Sequence, residues 1–422
     1  MKPDIKTVSV VGLGYVGLPM AAVLASRGLA VLGVDINAAN VALINQGKVP
    51  IVEPDLDILV NAAVATGRLK AATRPAPADA FIIAVPTPFG AGHKPDLAHV
   101  RAATDSIAPV LKAGDLVIIE STSPVGTTEA VAGWLKAARP ELAFPPAGRR
   151  PADVDIAYSP ERVLPGRILL ELVENDRVIG GLDPASAERA AQLYRRFVQG
   201  ECVLTDARTA ELVKLAENSY RDVNIAFANE MARVCDRLGI DVWTLLTLAN
   251  RHPRVDILKP GPGVGGHCIA VDPWFIVDSA PAETPLIRTA RQVNDARPAE
   301  IVGKVMNAAA RLLKPRIACL GLSYKADIDD MRESPAVKIV RLLAEKTPGE
   351  ILVVEPHSER MPAELVGLPR IHGITLDAAL DQADIVVLLV DHRVFRAIDR
   401  TRLANKVVID TRGLWRDPPP RR

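Results

Sequence analysis

Residues 7–35 constrain the fold more strongly than any other part of the chain. The run Thr7–Val11 has strand composition and leads into the turn GLGYVG, an Ala- and Leu-rich helical segment follows, and a second strand-like run ends at Asp35. Strand, glycine turn, helix and strand with a terminal acidic residue form the fingerprint of a dinucleotide-binding unit. The segment therefore predicts an open parallel sheet with helices on both faces.

Each feature of this fingerprint has a physical role. In such turns, the first glycine makes the turn, the second lets pyrophosphate approach the backbone, and the third lets the helix pack against the strand. Asp35 would accept hydrogen bonds from the adenosine ribose and repel a 2′-phosphate, which favours NAD over NADP. The cofactor-binding residues predicted here are Gly12, Gly14, Tyr15, Val16, Gly17 and Asp35.

Two further predicted strands end in polar turns. Residues 80–85 lead into PTPF, which contains Thr87, and residues 116–120 lead into STSPVGTT, which contains Thr122 and Thr128. Ligands of open α/β sheets bind at the carboxyl ends of strands, so we predict that these threonines contact the nicotinamide or its ribose. Threonine and proline also end strands without binding a ligand, and that interpretation stays open.

The middle of the chain contains a long predicted helix, Ala207–Leu238. Lys214, Asn218 and Arg221 are spaced i, i+4 and i+7, and they therefore project from one face. A solvated helix face would show the same spacing. The three residue types together nevertheless suit an anionic, oxygen-rich ligand, because Arg binds phosphate and Lys can hold an oxyanion or a proton.

A glycine-rich segment after this helix carries a candidate nucleophile. Residues 261–273 read GPGVGGHCIAVDP, with Cys268 preceded by His267 and followed four residues later by Asp272. The glycines would let backbone crowd close to a small reacting group, and Asp272 could lie within reach of the thiol's product. A lone cysteine is also commonly a small buried core residue, so this segment alone leaves both interpretations open.

Two polar segments flank these features. Glu161 and Arg162 follow a short predicted strand, and the turn NRHPRV places His252 and Arg254 shortly before the glycine-rich segment. The basic turn predicts phosphate or carboxylate binding, with a solvated turn as the alternative.

The last third of the chain repeats the order of the first. IACLGL, ILVVEP, ADIVVLLV and KVVIDTRG correspond to SVVGLG, VLGVDI, ADAFIIAV and DLVIIEST, and Glu355 corresponds to Asp35. The second turn, GLSYKADI, lacks the third glycine and carries Tyr324 and Lys325, which suit a diphosphate or a base better than a dinucleotide. We predict an α/β protein with two Rossmann-like doubly wound domains joined by a long central helix.

The charge balance and the cysteine spacing exclude several classes of function. Lys and Arg total 51 against 50 acidic residues, which argues against a nucleic acid or a membrane surface bound by bulk charge. The four cysteines are widely spread, so they predict neither a metal site nor a disulfide framework and fit a reducing, cytoplasmic setting. No segment has the length of an uncharged membrane span.

With six motifs in order, the chain resembles the UDP-glucose/GDP-mannose dehydrogenase family over nearly its whole length: GLGYVG, STSPVGTT, YSPERVLPG, LVKLAENSYRDVN, GPGVGGHCIAVDP and GLSYKADIDDMRESP. The resemblance implies two oxidations of a UDP-sugar alcohol at C6, with two NAD per substrate. His267 and Val271 stand where UDP-glucose enzymes usually carry serine and lysine. They imply a UDP-N-acetylhexosamine, with UDP-N-acetylmannosamine expected and UDP-N-acetylglucosamine as the alternative.

The resemblance also implies roles for individual residues. Cys268 would trap the aldehyde as a thiohemiacetal that is oxidised to a thioester. Lys214 would transfer a proton and, with Asn218, hold the developing oxyanion. Asp272 or Glu161 would prepare the hydrolytic water. The UDP-sugar would contact Arg162, Val163, Lys214, Asn218, Arg221, His252, Arg254, Gly265, Tyr324 and Lys325, and Arg332 would lie near the cofactor.

On this basis we predict three domains: an NAD-binding domain at 1–204, a helical dimerisation domain with the cysteine segment at 205–300, and a UDP-binding domain at 301–422. Some family members take site residues from a neighbouring subunit, which implies at least a homodimer. Two other functions are compatible with parts of the pattern. A single-step β-hydroxyacid dehydrogenase would need no catalytic cysteine, and a non-catalytic NAD or UDP-sugar sensor would release no NADH.

Overall fold

The computed structural model describes residues 4–145, 151–266, 269–358 and 360–416. The chain divides into two compact units. The first comprises Met1–Glu217 and Trp274–Ala280, and the second comprises Asn218–Pro273 and Pro281–Arg422.

Helices and strands alternate through most of both units. The strands are β1 (Thr7–Val11), β2 (Ala30–Val34), β3 (Leu69–Ala72), β4 (Ala80–Ile83), β5 (Leu116–Ile119), β6 (Asp155–Tyr158), β7 (Arg177–Gly181), β8 (Cys202–Asp206), β9 (Arg316–Leu320), β10 (Glu350–Val354), β11 (Ile371–Gly373), β12 (Ile385–Leu388) and β13 (Val407–Asp410). The helices are α1 (Gly17–Ser26), α2 (Ala38–Asn45), α3 (Leu56–Ala65), α4 (Ala98–Ile107), α5 (Thr127–Ala138), α6 (Ile168–Glu174), α7 (Pro184–Tyr194), α8 (Ala207–Leu238), α9 (Val242–Ala249), α10 (Asp272–Ser279), α11 (Pro285–Ala309), α12 (Pro335–Lys346), α13 (Leu376–Gln382) and α14 (Arg393–Arg396).

The sheet of the first unit has the strand order β3-β2-β1-β4-β5-β6-β7-β8. Its neighbouring strands are parallel, apart from the antiparallel pair β6 and β7. The chain moves outward from β1 to β3 and then returns to the other side of β1, so the order reverses between β1 and β4. In open α/β sheets, ligands bind at the carboxyl edge beside such a reversal.

Both faces of this sheet are covered. One face packs against α1 and α3 through residues such as Leu18, Met20 and Val60, and the other packs against α4 and α5 through Val100 and Val131. Burying a side chain of this size contributes about 1.5–3 kcal/mol. Burial on both faces explains why β4 and β5 are apolar runs without alternation.

The sheet of the second unit has the order β11-β10-β9-β12-β13, and all its strand pairs are parallel. Its order reverses between β9 and β12, which repeats the plan of the first sheet. Helices α11 and α12 cover one face, and α13 covers the other.

The prediction of two Rossmann-like sheets and a long helix is confirmed. Helix α8 has the predicted bounds and continues from the first unit into the second at Glu217 and Asn218. The three predicted domain boundaries stay a prediction. Among the described residues, no helix combines the length and the apolar character that a membrane crossing requires.

Candidate active site

At two positions of the turn after β1, the packing leaves no space for a side chain and therefore requires glycine. A Cβ atom at Gly17 would lie 1.8 Å from the carbonyl oxygen of Gly12, and one at Gly12 would lie 2.5 Å from the carbonyl oxygen of Ala84. Gly14 is exposed, and nothing outside its chain neighbours lies within 4 Å of a Cβ placed there. The backbone at Gly14 is therefore open to a close approach, as a pyrophosphate group requires.

Asp35 holds this turn to the end of β2. Its Oδ2 accepts a hydrogen bond of 3.0 Å from the backbone N–H of Leu13, and its Oδ1 accepts one of 2.8 Å from Asn37. Each carboxylate oxygen has a second lone pair available for a hydroxyl donor. Tyr15 and Val16, which precede α1, are half-buried in the same turn.

The predicted cofactor threonines have different environments. The hydroxyl of Thr87 donates to the carbonyl oxygen of Thr122, so the turns after β4 and β5 are joined. The hydroxyl and the N–H of fully buried Thr128 both donate to Oε1 of Glu211, at 2.6 and 2.7 Å. Oε2 of Glu211 accepts the N–H of Gly126 at 2.6 Å.

Glu211 therefore satisfies free N–H groups at the start of α5, a favourable place for a carboxylate. Burial raises the pKa of Glu211, and the hydrogen bonds from Thr128 and Gly126 oppose that rise. This contact gives Thr128 a structural role, and its contact with the cofactor stays a prediction. Sequence reasoning missed Glu211, because its partners lie 83 and 85 residues away.

Two predicted catalytic residues of the first unit form a buried pair. Nζ of Lys214 lies 3.9 Å from Oε2 of Glu161, and both residues are buried. Oε1 of Glu161 accepts the backbone N–H of Val163. Arg162 instead pairs with Glu217, with 2.6 Å between Nη2 and Oε1.

A second buried carboxylate, which sequence reasoning did not single out, directly follows β5. Oε1 of Glu120 accepts hydrogen bonds from Arg177 at 2.9 Å and from Tyr194 at 2.7 Å. Burial raises the pKa of Glu120, while Arg177 and Tyr194 oppose that rise. A glutamate at the end of an apolar strand was the only sequence signal for it.

Asn218 and Asp272, both of the second unit, are in direct contact. Nδ2 of Asn218 donates a hydrogen bond of 2.5 Å to Oδ2 of Asp272, and Asp272 is buried at the start of α10. The contact fixes the orientation of the carboxylate relative to α8.

The glycine-rich segment packs against the turn after β9. A Cβ atom at Gly265 would lie 2.6 Å from the carbonyl oxygen of Glu333 and 2.9 Å from Cβ of Tyr324. At Gly266, which has φ of +83°, a Cβ would lie 3.1 Å from the ring of Tyr324. The structure thus brings together Gly265 and Tyr324, two residues predicted to bind the UDP-sugar. Cys268 and its neighbour His267 lie outside the described residues.

The remaining predicted binding residues of the second unit are basic. Arg221, His252 and Arg254 are exposed, and Nδ1 of His252 accepts the N–H of Arg254 at 3.3 Å. Lys325 is half-buried beside Tyr324 in the turn after β9. The guanidinium of Arg332 donates to both carboxylate oxygens of Asp330, at 2.9 and 2.6 Å.

The second sheet repeats the contact between its acidic residue and its turn. Oε2 of Glu355 accepts the N–H of Leu322 at 2.7 Å, and Oε1 accepts the N–H of His357 at 2.9 Å. These bonds correspond to those that Asp35 accepts. Glu355 also faces Nε2 of fully buried His392 at 3.3 Å. Burial alone would raise the pKa of Glu355, but hydrogen bonds from His392, Leu322 and His357 outweigh it and hold the pKa low.

Candidate ligand atoms of Asp327, His357 and His392 lie within 4.8 Å of one another. Nδ1 of His392 accepts the backbone N–H of Asp327 at 2.9 Å, and its Nε2 faces Glu355. Because both ring nitrogens of His392 already have protein partners, we assign no metal to this cluster.

Comparison with known families gives matches along most of the chain. Three domains of the UDP-glucose/GDP-mannose dehydrogenase family match: the NAD binding domain at residues 6–198, the central domain at 208–296 and the UDP binding domain at 318–417. The first match confirms NAD as the cofactor, and the third agrees with a UDP-sugar ligand.

Individual relatives cover nearly the whole chain. An NDP-N-acetyl-D-galactosaminuronic acid dehydrogenase of Ralstonia nicotianae is 60% identical, over 98% of this chain and 97% of the relative. A UDP-N-acetyl-D-mannosamine dehydrogenase of Yersinia pestis is 57% identical, over 97% and 99%. Among solved structures, the UDP-D-ManNAc dehydrogenase from Pyrococcus horikoshii has a TM-score of 0.87 and 38% identity, with 98% of this chain and 97% of that one covered.

Proposed function

The chain belongs to the UDP-glucose/GDP-mannose dehydrogenase family, as an NAD-dependent UDP-sugar dehydrogenase, and from this premise we propose that it oxidises UDP-N-acetyl-D-mannosamine. The product is UDP-N-acetyl-D-mannosaminuronate, formed by oxidation at C6 with two NAD and one water. The observation that carries the proposal is the 57% identity to the Yersinia enzyme of that name, with alignment along nearly both full lengths.

A second substrate has support of its own. The Ralstonia relative, at 60% identity, is named for an N-acetyl-D-galactosaminuronic acid product. This favours UDP-N-acetylgalactosamine as the second candidate, beside the UDP-N-acetylglucosamine that the sequence leaves open. All three sugars share the N-acetyl group. N-acetylglucosamine differs from N-acetylmannosamine at C2 and from N-acetylgalactosamine at C4, so the latter two differ from each other at both positions.

The chemistry of the proposal divides among a few side chains. When bound, NAD supplies the hydride acceptor for both oxidations. Lys214 takes the proton of the C6 hydroxyl, and the thiolate of Cys268 then bonds to C6 of the aldehyde. Asn218 donates to the oxygen that becomes negative in this step. After the second oxidation, water attacks the thioester carbon, the C–S bond breaks, and the thiol of Cys268 is restored with release of the carboxylate.

Two buried carboxylates are candidates for activating that water. Asp272 has its orientation fixed by Asn218, while Glu161 pairs with Lys214. We assign the water to Asp272, because the hydrogen bond from Asn218 to its Oδ2 fixes the orientation of this carboxylate.

The enzyme also acts, in this proposal, as a homodimer or larger homo-oligomer. Tyr220, Phe227 and Val234 recur every seven residues along α8 and are 74%, 50% and 42% exposed. Such spacing places the three side chains on one face of the helix, and large exposed apolar side chains on one face are typical of a subunit contact.

One assay tests the reaction and the substrate together. The purified protein is incubated with NAD and, separately, with each of the three UDP-N-acetylhexosamines, while NADH and remaining sugar nucleotide are both counted. We expect two NADH per UDP-sugar and the highest kcat/KM with UDP-N-acetylmannosamine. A ratio of one would refute the thioester scheme and favour a single-step dehydrogenase. A higher kcat/KM with one of the other two sugar nucleotides would identify that compound as the substrate instead.

A variant tests the nucleophile. Cys268→Ser should abolish acid production and retain binding of the sugar nucleotide, because serine keeps the size of the side chain and loses the thiolate. Undiminished acid production by this variant would refute the assignment. A protein that binds both ligands and releases no NADH with any of the sugars would instead be a sensor.

A further inference from the structure

A buried arginine on α11 contacts the segment that carries the proposed nucleophile. Arg291 is 0% exposed, and its Nη1 donates to Oδ1 of Asp222 at 2.5 Å and to the carbonyl oxygen of Ile269 at 3.3 Å. Ile269 directly follows Cys268 in the sequence. Arg291 therefore joins Asp222 of α8 to the backbone on the carboxyl side of the cysteine.

The other end of the same segment is held by the same two helices. The N–H of Gly261 donates to Oδ1 of Asn229 at 2.9 Å, and the carbonyl oxygen of Gly261 accepts from Nε of Arg297 at 3.2 Å. Asn294 links the two attachments, because its Nδ2 donates to Asp222 at 2.8 Å and its Oδ1 accepts from Asn229 at 2.9 Å. A continuous buried network of α8 and α11 thus fixes both ends of residues 261–269.

Holding two helices together through a buried ion pair has a high desolvation cost. Burying an ion pair removes two charges from water, and replacing such a pair by apolar side chains is commonly neutral or stabilising. Among the described residues, Oδ2 of Asp222 and Nε of Arg291 also have no hydrogen-bond partner. The contact of Arg291 with the carbonyl oxygen of Ile269 extends the pair beyond the two helices to the segment.

The segment needs such an attachment because four glycines occur between Gly261 and Gly266. Glycine has the largest backbone freedom of all residues, so a free segment of this composition would place the following cysteine imprecisely. A nucleophile reacts efficiently only when it is held about 3–3.5 Å from its target, and a misplacement of about 1 Å can cost a hundredfold in rate.

We propose that Arg291, held by Asp222, is a positioning residue that fixes the backbone beside Cys268 for attack on the aldehyde. The inference rests on the proposed function in one respect, the role of Cys268 as the nucleophile. It predicts a specific failure when the attachment is lost. The first oxidation still takes place, but the aldehyde is trapped less often and escapes.

The test compares three variants. Asp222→Asn with Arg291→Met removes both charges, so that no buried charge is left unpaired. Arg291→Lys keeps the charge and loses the planar fork, whose Nη1 reaches Asp222 and Ile269 and whose Nη2 reaches Asp295. Asp236→Asn with Lys304→Met is the control, because Lys304 and Asp236 also join α11 to α8 but form a partly exposed pair away from the segment.

Three readouts separate positioning from general stability. For the double variant we expect kcat to fall about tenfold to a hundredfold with KM for NAD and for the sugar nucleotide within about threefold. We expect NADH per acid formed to rise above two as aldehyde is released. We also expect the rate at which iodoacetamide alkylates Cys268, followed by peptide mass, to change severalfold, whereas the control should match the wild type in all three. Arg291→Lys should give values between those of the double variant and those of the control.

The proposal is overturned if the double variant, folded by circular dichroism, matches the control in kcat, in NADH per acid and in alkylation of Cys268. If the double variant does not fold, the proposal is tested with Arg291→Lys by the same three readouts. Alkylation of Cys268 requires no substrate, so it tests the attachment even if Cys268→Ser were to retain acid production. Such retention would refute the proposed nucleophile alone.

Discussion

Nδ2 of Asn218 donates a 2.5 Å hydrogen bond to Oδ2 of Asp272, so a side chain on α8 orients the carboxylate that begins α10. The two residues are 54 positions apart, and each was expected to take part in catalysis separately. Their contact makes the orientation of Asp272 depend on Asn218.

Replacing Asp272 by asparagine should slow the last chemical step. If Asp272 activates the hydrolytic water, Asp272→Asn still forms the thioester, and a rapid burst of two NADH per active site precedes a steady rate lowered about a hundredfold or more. Stopped-flow absorbance of NADH measures both phases. Glu161→Gln is the matched comparison, and a burst in that variant but none in Asp272→Asn would transfer the role to Glu161.

Adding a methyl group at Gly265 should displace the glycine-rich segment. The new Cβ would lie 2.6 Å from the carbonyl oxygen of Glu333 and 2.7 Å from Cδ of Pro335, so Gly265→Ala should lower the free energy of unfolding by about 1–3 kcal/mol. Gly303 on α11 is the control, since nothing lies within 4 Å of its Cβ position.

In an exposed helical position, Gly303→Ala should raise the free energy of unfolding by about 0.5–1 kcal/mol. Urea unfolding measures both variants, and kcat should fall only for Gly265→Ala. Equal stability changes of the same sign in the two variants would contradict the packing seen at Gly265.

Charges placed on the apolar face of α8 should separate the subunits. Tyr220→Glu with Phe227→Glu introduces two like charges on a face proposed to lie against a second copy, where they would be desolvated and repel. Sedimentation velocity should show a monomer for this variant and an oligomer for the wild type. Leu313→Glu is the control, since Leu313 is 97% exposed in the turn after α11. An unchanged sedimentation coefficient for the double variant would place the contact elsewhere.

The Asp222 carboxyl should make the free energy of unfolding depend on pH. Burial raises its pKa from 3.8 to about 6, with the nearby Asp295 adding to the rise and Arg291 and Asn294 opposing it. Between these values the folded protein keeps a proton that the unfolded chain has lost, so stability falls as pH rises through this range. The rise corresponds to roughly 3 kcal/mol of unfolding free energy.

Asp222→Asn removes this titration. Relative to that variant, the wild type should therefore lose stability as the pH is raised from about 4 to about 7, as measured by urea unfolding at several pH values. Asp236→Asn, on an exposed part of the same helix, should keep the wild-type slope. Parallel curves for the wild type and Asp222→Asn would show that Asp222 has an ordinary pKa.

The parts of the fold that sequence predicts are those encoded locally. Strand composition, the glycine turn and the repeat of the same order in the last third were sufficient for both sheets, and apolar spacing was sufficient for Ala207–Leu238. Strands β4 and β5 end at Ile83 and Ile119, two residues and one residue earlier than expected.

The buried polar contacts could not be predicted in the same way. Asp222 and Arg291 are 69 residues apart, and Glu211 and Thr128 are 83 residues apart. Helical periodicity assigns each residue to a face, but it does not identify the side chain on the facing helix. Glu211 and Asp222 therefore resemble ordinary surface acids in the sequence, although both are fully buried.

The shared contacts of Asp35 and Glu355 affect how dinucleotide sites are recognised in proteins that contain two similar sheets. At this place an acid accepts a backbone hydrogen bond from the loop beside it in both sheets, and this contact requires no bound dinucleotide. In the second scaffold, His392 stands against the carboxylate that a ribose would otherwise approach. An acid at the end of the second strand therefore does not identify a dinucleotide site by itself, and the side chain that faces the acid has to be considered with it.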